Sequence, residues 1–404
     1  MRKQWFWLLF WLMLVACQGD PVEPVANEGA VAPTAAAIPT TTIAPTDEPA
    51  PSPTPEPTLI PTATPEPFPT MAPALFSSTI EGRIAAANLF TYPATTAIVP
   101  HGPTGSWDGQ YTDPGGAVYH DGTYHLFHNG FVGWPAPVSI AHATSTDGFT
   151  WTRAADPIFS GNDLPYTGLT VLASSALVEP DGTWVLYFYT WDQTSWPGSS
   201  GAIGRATAPS PDGPWTADPD LVLRPGGDGA WDELAVRAPS VRRTTTGFVM
   251  FFAGHTLSDA AIGMATSADG LVWHKYDDPT TTEAPYAESD PVFTASDETA
   301  WDNGVVYQPR VQLTPDGWVM LYAVNSSVYT TTAPKHGLAI SPDGLNWVRT
   351  DGPVVDAAAA GGRDIWYTEL LYQDGTYFIF LELGIPSVGT EVYLATRTGS
   401  LTPP

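Results

Sequence analysis

Residues 261–273 read AIGMATSADGLVW, and the fold is decided by how that stretch is understood. Small and apolar residues run together from Ala261 to Thr266, as in a strand buried on both faces. Asp269-Gly270 then supplies tight-turn chemistry, and Trp273 follows to seat the turn on a core. The same unit recurs as SIAHATSTDGFTW at 139–151, AIGRATAPSPDGPW at 202–215 and GLAISPDGLNW at 337–347. A fifth copy, VYLAT at 392–396, lacks the turn. A second series of turns precedes these: HDGTY at 120–124, PDGTW at 180–184, TGF at 246–248, PDGW at 315–318 and QDGTY at 373–377. Each opens a run rich in aromatic and β-branched residues, the composition of a strand. The repeating unit is therefore strand, tight turn, strand, long loop, strand, tight turn, strand. Five such units of roughly sixty residues, each with a recurring tryptophan, predict an all-β, five-bladed β-propeller. The copy at 392–396 would lack a fourth strand, and Ala97-Ile98-Val99-Pro100 is the expected donor. That N-terminal strand would close the ring and remove its open edges.

Composition narrows the function. The chain of 404 residues has 15 Lys and Arg against 42 Asp and Glu, a formal charge of −27. Such a balance argues against nucleic acid and against direct binding to an anionic membrane surface. One cysteine excludes a disulfide framework and a cysteine-rich zinc site. Aromatic residues at 12% and apolar residues at 43% are enough for a real core.

The first residues read as a targeting signal. Arg2 and Lys3 precede an apolar run from Trp5 to Val15, too short to span a bilayer. It ends in Leu14-Val15-Ala16-Cys17, which resembles the lipobox of bacterial lipoproteins, with Cys17 as the lipidated residue. The other reading is an ordinary secretory signal with an incidental cysteine. Residues 17–75 follow as a Pro- and Thr-rich linker; from Gln18 to Leu75 there are fifteen prolines and no Lys, Arg, Trp or Tyr. Such a segment buries too little to fold and serves as a spacer. The expected division is a signal peptide at 1–16, a disordered linker at 17–75 and the propeller at 76–404. The expected location is the bacterial cell surface, with the membrane touched only through the lipid anchor.

In this topology the tight turns share one end of the ring and the long loops the other. The site is expected on the long-loop end, where the innermost strands begin. Asp113, Ala173, Ala238 and Gln308 occupy equivalent places there, counted back from each Asp-Gly turn. The stretch TDPGGAVYHDGTYHLF at 112–127 resembles the first-blade motif of the five-bladed glycosidases, which include arabinanases, xylosidases, invertases and fructanases. The resemblance covers residues 95–404. It implies three carboxylates round the axis: a first-blade Asp as base or nucleophile, a middle-blade Asp that modulates, and a following Glu as general acid. Asp113 matches the first. The other two motifs read Arg237-Ala238-Pro239 and Tyr307-Gln308-Pro309, without carboxylates.

Glu369 and Glu382 of the last unit are the substitutes, and Glu233 is a further candidate. A Glu buried among apolar walls holds its proton more firmly and can act as an acid. Expected substrate-binding residues are Asn129, His128, Trp134, Trp191, Arg237, Tyr307 and Gln308, with Trp196 a further loop aromatic. Asp108, Asp232, Asp302 and Asp364 recur before successive units, which favours a structural role. His128 and His255 lack an acidic partner in the sequence, so no metal site is expected. No cofactor is expected either, though the resemblance leaves a structural calcium in the central channel open. A monomer acting on a carbohydrate is the expectation. Two functions fit: a glycoside hydrolase with an atypical acid, or a glycan-binding propeller without catalysis. A sialidase-like enzyme would need three converging arginines, and only Arg237 and Arg310 lie on innermost strands.

Overall fold

The computed structural model describes residues 84–87, 89–91, 96–166, 170–191, 200–328, 330, 332–355, 360–385 and 388–401. These lie in a compact unit, Thr64–Pro404. The signal at 1–16, Cys17, the linker at 17–75 and Trp196 lie outside the described residues.

The described residues form an all-β architecture of 21 strands. Their order gives five antiparallel units. Unit one holds β1 (Tyr111–His120), β2 (Thr123–Phe131), β3 (Ser139–Ser145) and β4 (Thr152–Arg153), with β5 (Phe159–Ser160) also on β3. Unit two holds β6 (Thr170–Val178), β7 (Trp184–Trp191), β8 (Ile203–Ala208) and β9 (Thr216–Ala217). Unit three holds β10 (Ala235–Arg243), β11 (Phe248–His255), β12 (Ala260–Ser267) and β13 (His274–Lys275), with β14 (Pro291–Phe293) on β12. Unit four holds β15 (Val305–Thr314), β16 (Gly317–Asn325), β17 (Lys335–Ser341) and β18 (Val348–Arg349). Unit five holds β19 (Asp364–Gln373), β20 (Thr376–Ile385) and β21 (Gly389–Thr398).

The first strands pack side by side in a cycle: β1 on β6, β6 on β10, β10 on β15, β15 on β19, and β19 on β1. The outer edge of β21 meets the N-terminal segment at two antiparallel bridges, Thr91 to Thr396 and Val99 to Val392. The segment touches where a fourth strand was expected, as isolated bridges and not as a continuous strand. β21 also pairs with β1 through Tyr111 and Thr390, so units five and one share one sheet.

The repeated turns lock the units together. In the turn of unit three, Ser267 Oγ donates to Asp269, and the same carboxylate accepts the N–H groups of Leu271 and Val272. The Trp273 indole N–H donates to the Gly270 carbonyl, at 3.1 Å. Units one and four repeat this geometry at Asp147 and Asp343. Each turn tryptophan then meets the second strand of the preceding unit edge-on. Trp151 packs on Phe380, Trp215 on Phe127, Trp273 on Tyr187 and Trp347 on Phe251. These four seats are equivalent, since they lie opposite Glu369, Gly116, Ser175 and Ser240 in the first hairpins. The fifth seat is Leu321, opposite Arg310, and the unit that would fill it is the one without a turn motif.

Three of the four recurring aspartates have a structural place. Asp108, Asp232 and Asp302 are fully buried and pair with Arg153, Lys275 and Arg349 on or beside the outer strands of their units.

Candidate active site

Every first strand carries a register shift against its partner at one level, between Pro114 and Gly116, Ala173 and Ser175, Arg237 and Ser240, Tyr307 and Arg310, and Ile365 and Thr368. A bulge of this kind re-aims a side chain and bends the strand. In units three and four it places Ala238 at φ 50° and Gln308 at φ 53°. Among the described residues, the other non-glycine residues at positive φ are Asp121 and Asp374, both in Asp-Gly turns. Ala238 and Gln308 are not in turns and are both buried, so their left-handed backbone is held by the surrounding fold. These are the two positions where the resemblance calls for carboxylates.

Asp113 lies just before the bulge of β1 and is wholly buried. It accepts a 2.7 Å hydrogen bond from Asn129 Nδ2. Asn129 in turn accepts from the Ala173 N–H at 2.7 Å, so unit two fixes the amide that orients Asp113. Burial raises the Asp113 carboxyl to about 7, opposed by the Asn129 bond and the Arg310 charge. Glu382, equivalent to Asn129 in its own unit, is also buried. Its carboxylate accepts from Thr390 Oγ1 at 2.6 Å and from the Tyr367 N–H at 3.1 Å. Burial and then the Asp113 charge push it well above the usual carboxylate range. Burial and the Asp113 charge thus favour the protonated form of Glu382 over that of its partner. Two carboxyls driven to different protonation states are the arrangement that acid–base chemistry needs.

Tyr189 Oη donates to Tyr367 Oη at 3.2 Å. The pair joins unit two to unit five, which are not neighbours in the cycle, so the bond spans the axis. Burial raises Tyr189 to about 12, and burial together with Tyr189, Asp113 and Glu382 raises Tyr367 further, so both phenols stay protonated. Beside them is a pocket open to solvent, lined by Trp134, Leu172, Tyr189, Trp191, Arg237, Ala238, Ala253, His255, Tyr307, Gln308, Val328 and Tyr367.

The expected residues divide into three groups. Trp134, Trp191, Arg237, Tyr307 and Gln308 line the pocket. Trp134 and Trp191 stack at 4.5 Å with planes 22° apart, and Trp134 leaves 43% of its surface exposed. Asp113, Glu382 and Asn129 adjoin this wall, Glu382 through the Tyr367 main chain. Asn129 uses its amide on Asp113 and on the Ala173 backbone, so it positions the carboxylate where substrate contact was expected.

His128, Glu369 and Glu233 lie elsewhere. His128 alternates to the other face of β2, buried against Trp107 at 6.2 Å, and burial lowers it to about 4. Glu369 is buried in an ion pair with Arg310. Burial outweighs its two arginines and raises it to about 7. Glu233 accepts from the Gly229 N–H and closes a local loop. His255 lines the pocket and is lowered to about 3 by burial and the Arg237 charge. Tyr189 and Tyr367 were not singled out by the sequence. Tyr189 sits in the run WVLYFYTW, where every residue is buried and alternation gives no face.

Residues 106–309 match the family described as Glycosyl hydrolases family 32 N-terminal domain. A fructan beta-fructosidase of Streptococcus mutans is 50% identical over 68 residues, which is 16% of this chain. The match spans 5% of that relative's length. Among solved structures, one reported under the finding that the GH130 family of mannoside phosphorylases contains glycoside hydrolases targeting β-1,2 mannosidic linkages in Candida mannan aligns with TM-score 0.58. It is 17% identical, over 81% of this chain and 98% of that one. A glycosyl hydrolase from Bacteroides ovatus aligns with TM-score 0.57 at 18% identity, over 76% and 93%. The sucrose-6-phosphate hydrolase of Lactobacillus gasseri aligns with TM-score 0.54 at 16% identity, over 77% and 61%. At these identities the structures speak for the fold.

Proposed function

The chain belongs to the glycosyl hydrolase family 32 N-terminal-domain family, and from that membership we propose that it hydrolyses O-glycosyl bonds in poly- or oligosaccharides with an atypical carboxylate pair. The observation that carries this is the buried pair itself: Asp113 fixed by Asn129, and Glu382, at the position equivalent to Asn129 in unit five, held by Thr390 and the Tyr367 N–H. Glycoside cleavage requires one carboxyl to protonate the leaving oxygen and a second to attack the anomeric carbon or take the proton of the attacking water. Glu382 serves as the acid and Asp113 as the base or nucleophile. Trp134, stacked on the buried Trp191 and 43% exposed, offers a flat apolar face to a sugar ring. Arg237, Tyr307 and Gln308 supply polar groups to the same pocket. We read the five units as a five-bladed propeller that the N-terminal segment closes on β21. We read Cys17 as a lipid anchor that holds the domain, through the linker, at the bacterial surface.

The second reading is a glycan-binding propeller without hydrolysis. Ala238 and Gln308 favour it, because they leave two strained positions of the pocket without an acid. Sugar release from fructans, sucrose, β-1,2-mannosides and aryl glycosides by the full chain, Asp113→Asn and Glu382→Gln decides between the two. Release by the wild type that both variants lose supports the hydrolase. Binding of one glycan with no release by any of the three overturns it in favour of the lectin-like reading.

A further inference from the structure

Opposite the five seats, the first strands bring one residue from each unit to the same level: Gly116, Ser175, Ser240, Arg310 and Glu369. Three are small and two are charged. The small ones leave the centre of the cycle to the Arg310 guanidinium, whose side chain is 1% exposed. Arg310 Nε donates to the Thr368 carbonyl at 2.7 Å, and Nη1 donates to Ser174 Oγ at 2.6 Å. Nε also lies 3.1 Å from the Glu369 carboxylate. Units four and two are not neighbours in the cycle, so this one side chain crosses the axis. Arg242 of unit three approaches the same Glu369 at 4.0 Å, again between units that are not neighbours.

The donor set does not fit the calcium that the resemblance left open. Calcium takes six to eight oxygens, several of them carboxylate. Here one carboxylate is present at this level, already engaged by two guanidiniums, and a divalent ion beside them would meet repulsion. Among the described residues, no three His, Cys, Asp or Glu side chains converge as a metal site.

We propose that Arg310 is the channel's built-in cation, joining units two, four and five across the axis where a metal ion could otherwise do so.

The full chain serves for every test. Thermal unfolding is recorded with excess EDTA and with millimolar calcium, and the wild type is expected to unfold at the same temperature in both. A fall of several degrees in EDTA would overturn the proposal. Arg310→Gln is expected to unfold several degrees below the wild type, with no recovery in calcium, and Arg310→Lys, which keeps the charge, to recover part of the loss. A Gln variant as stable as the wild type, or one restored by calcium, overturns the proposal. If the Gln variant does not fold, the Lys variant alone decides: a fall of several degrees that calcium does not restore supports the bridge, and no fall overturns it. A protein that releases no sugar yet shows these shifts refutes the hydrolase and leaves the axial cation standing.

Discussion

Replacing Asn129 with leucine tests the site where it is most tightly built. The substitution keeps the volume and removes two short bonds, one to the Asp113 carboxylate and one from the Ala173 N–H, each at 2.7 Å. A hydrogen bond to a charged group contributes about 1.5–3 kcal/mol, and a buried N–H left without a partner costs about 1–3 kcal/mol. At pH 8 Asp113 is mostly ionised, since burial has raised it only to about 7. Both losses then apply, and the variant should be less stable by about 3–5 kcal/mol. At pH 5 Asp113 is protonated in the native state, the bond becomes a neutral one, and the loss should fall by about 1–1.5 kcal/mol.

The sign follows from linkage. The Asn129 bond lowers the native titration of Asp113, so its stabilisation is present above that midpoint and fades as pH falls through it. The raised midpoint itself works in the opposite direction. It makes Asp113 a group whose contribution is largest in acid and is lost as pH rises from the ordinary Asp range toward 7. Urea unfolding of wild type and Asn129→Leu at pH 5, 6, 7 and 8 measures the difference directly. A loss that is the same at all four values would refute the reasoning, because Asn129 would then be stabilising something other than an ionising Asp113.

Trp134→Ala should weaken oligosaccharide binding about five- to tenfold, the value of one aromatic stacking contact, with little change in melting temperature because the ring is partly exposed; isothermal calorimetry and a thermal scan check the two halves. Trp273→Ala should do the reverse. It removes the edge contact to Tyr187 and the bond to Gly270, costing about 3–5 kcal/mol in chemical unfolding while an intact pocket still binds glycan. Asp212→Asn should destabilise the protein increasingly as pH drops from 7 to 5. His142 is lowered by burial but held up by Asp212 at 2.7 Å, and the pair matters most where the imidazole takes its proton. Melting temperatures of the two proteins across that range should diverge toward acid; parallel curves would count against the contact.

Much of the fold is legible because it rests on local chemistry repeated along the chain. An Asp-Gly turn announces a hairpin wherever it occurs, and Trp151, Trp215, Trp273 and Trp347 announce the units. Counting back from those turns also finds Asp113, Ala238 and Gln308, since the bulges fall at one level. What lies across the axis is less legible. Glu369 reads as a free acid because Arg310 and Arg242, its partners, come from other units far away in sequence. Asn129 reads as substrate-facing because nothing in the sequence shows that Ala173 will take up its amide oxygen. Tyr367 looks like one aromatic among many until Tyr189 meets it from a unit that is not its neighbour.

The seat at Leu321 has a consequence for how the protein is made. Three joints between units are each fastened by a tryptophan of the next unit in the chain, Trp215, Trp273 and Trp347, so each can set as soon as that unit has been synthesised. The fourth, Trp151 on Phe380, joins the first unit to the last and waits for residue 380. The joint at Leu321 has no such fastener. Leu321 shares one apolar cluster with Ile84, Leu89 and Phe90 from early in the chain and with Leu401. On the ribosome, three joints can therefore form in order behind the growing chain while the Leu321 joint waits for residue 401. Until then its apolar surface is open to chaperones and proteases, and it is the seam at which a truncated or stalled chain would be recognised.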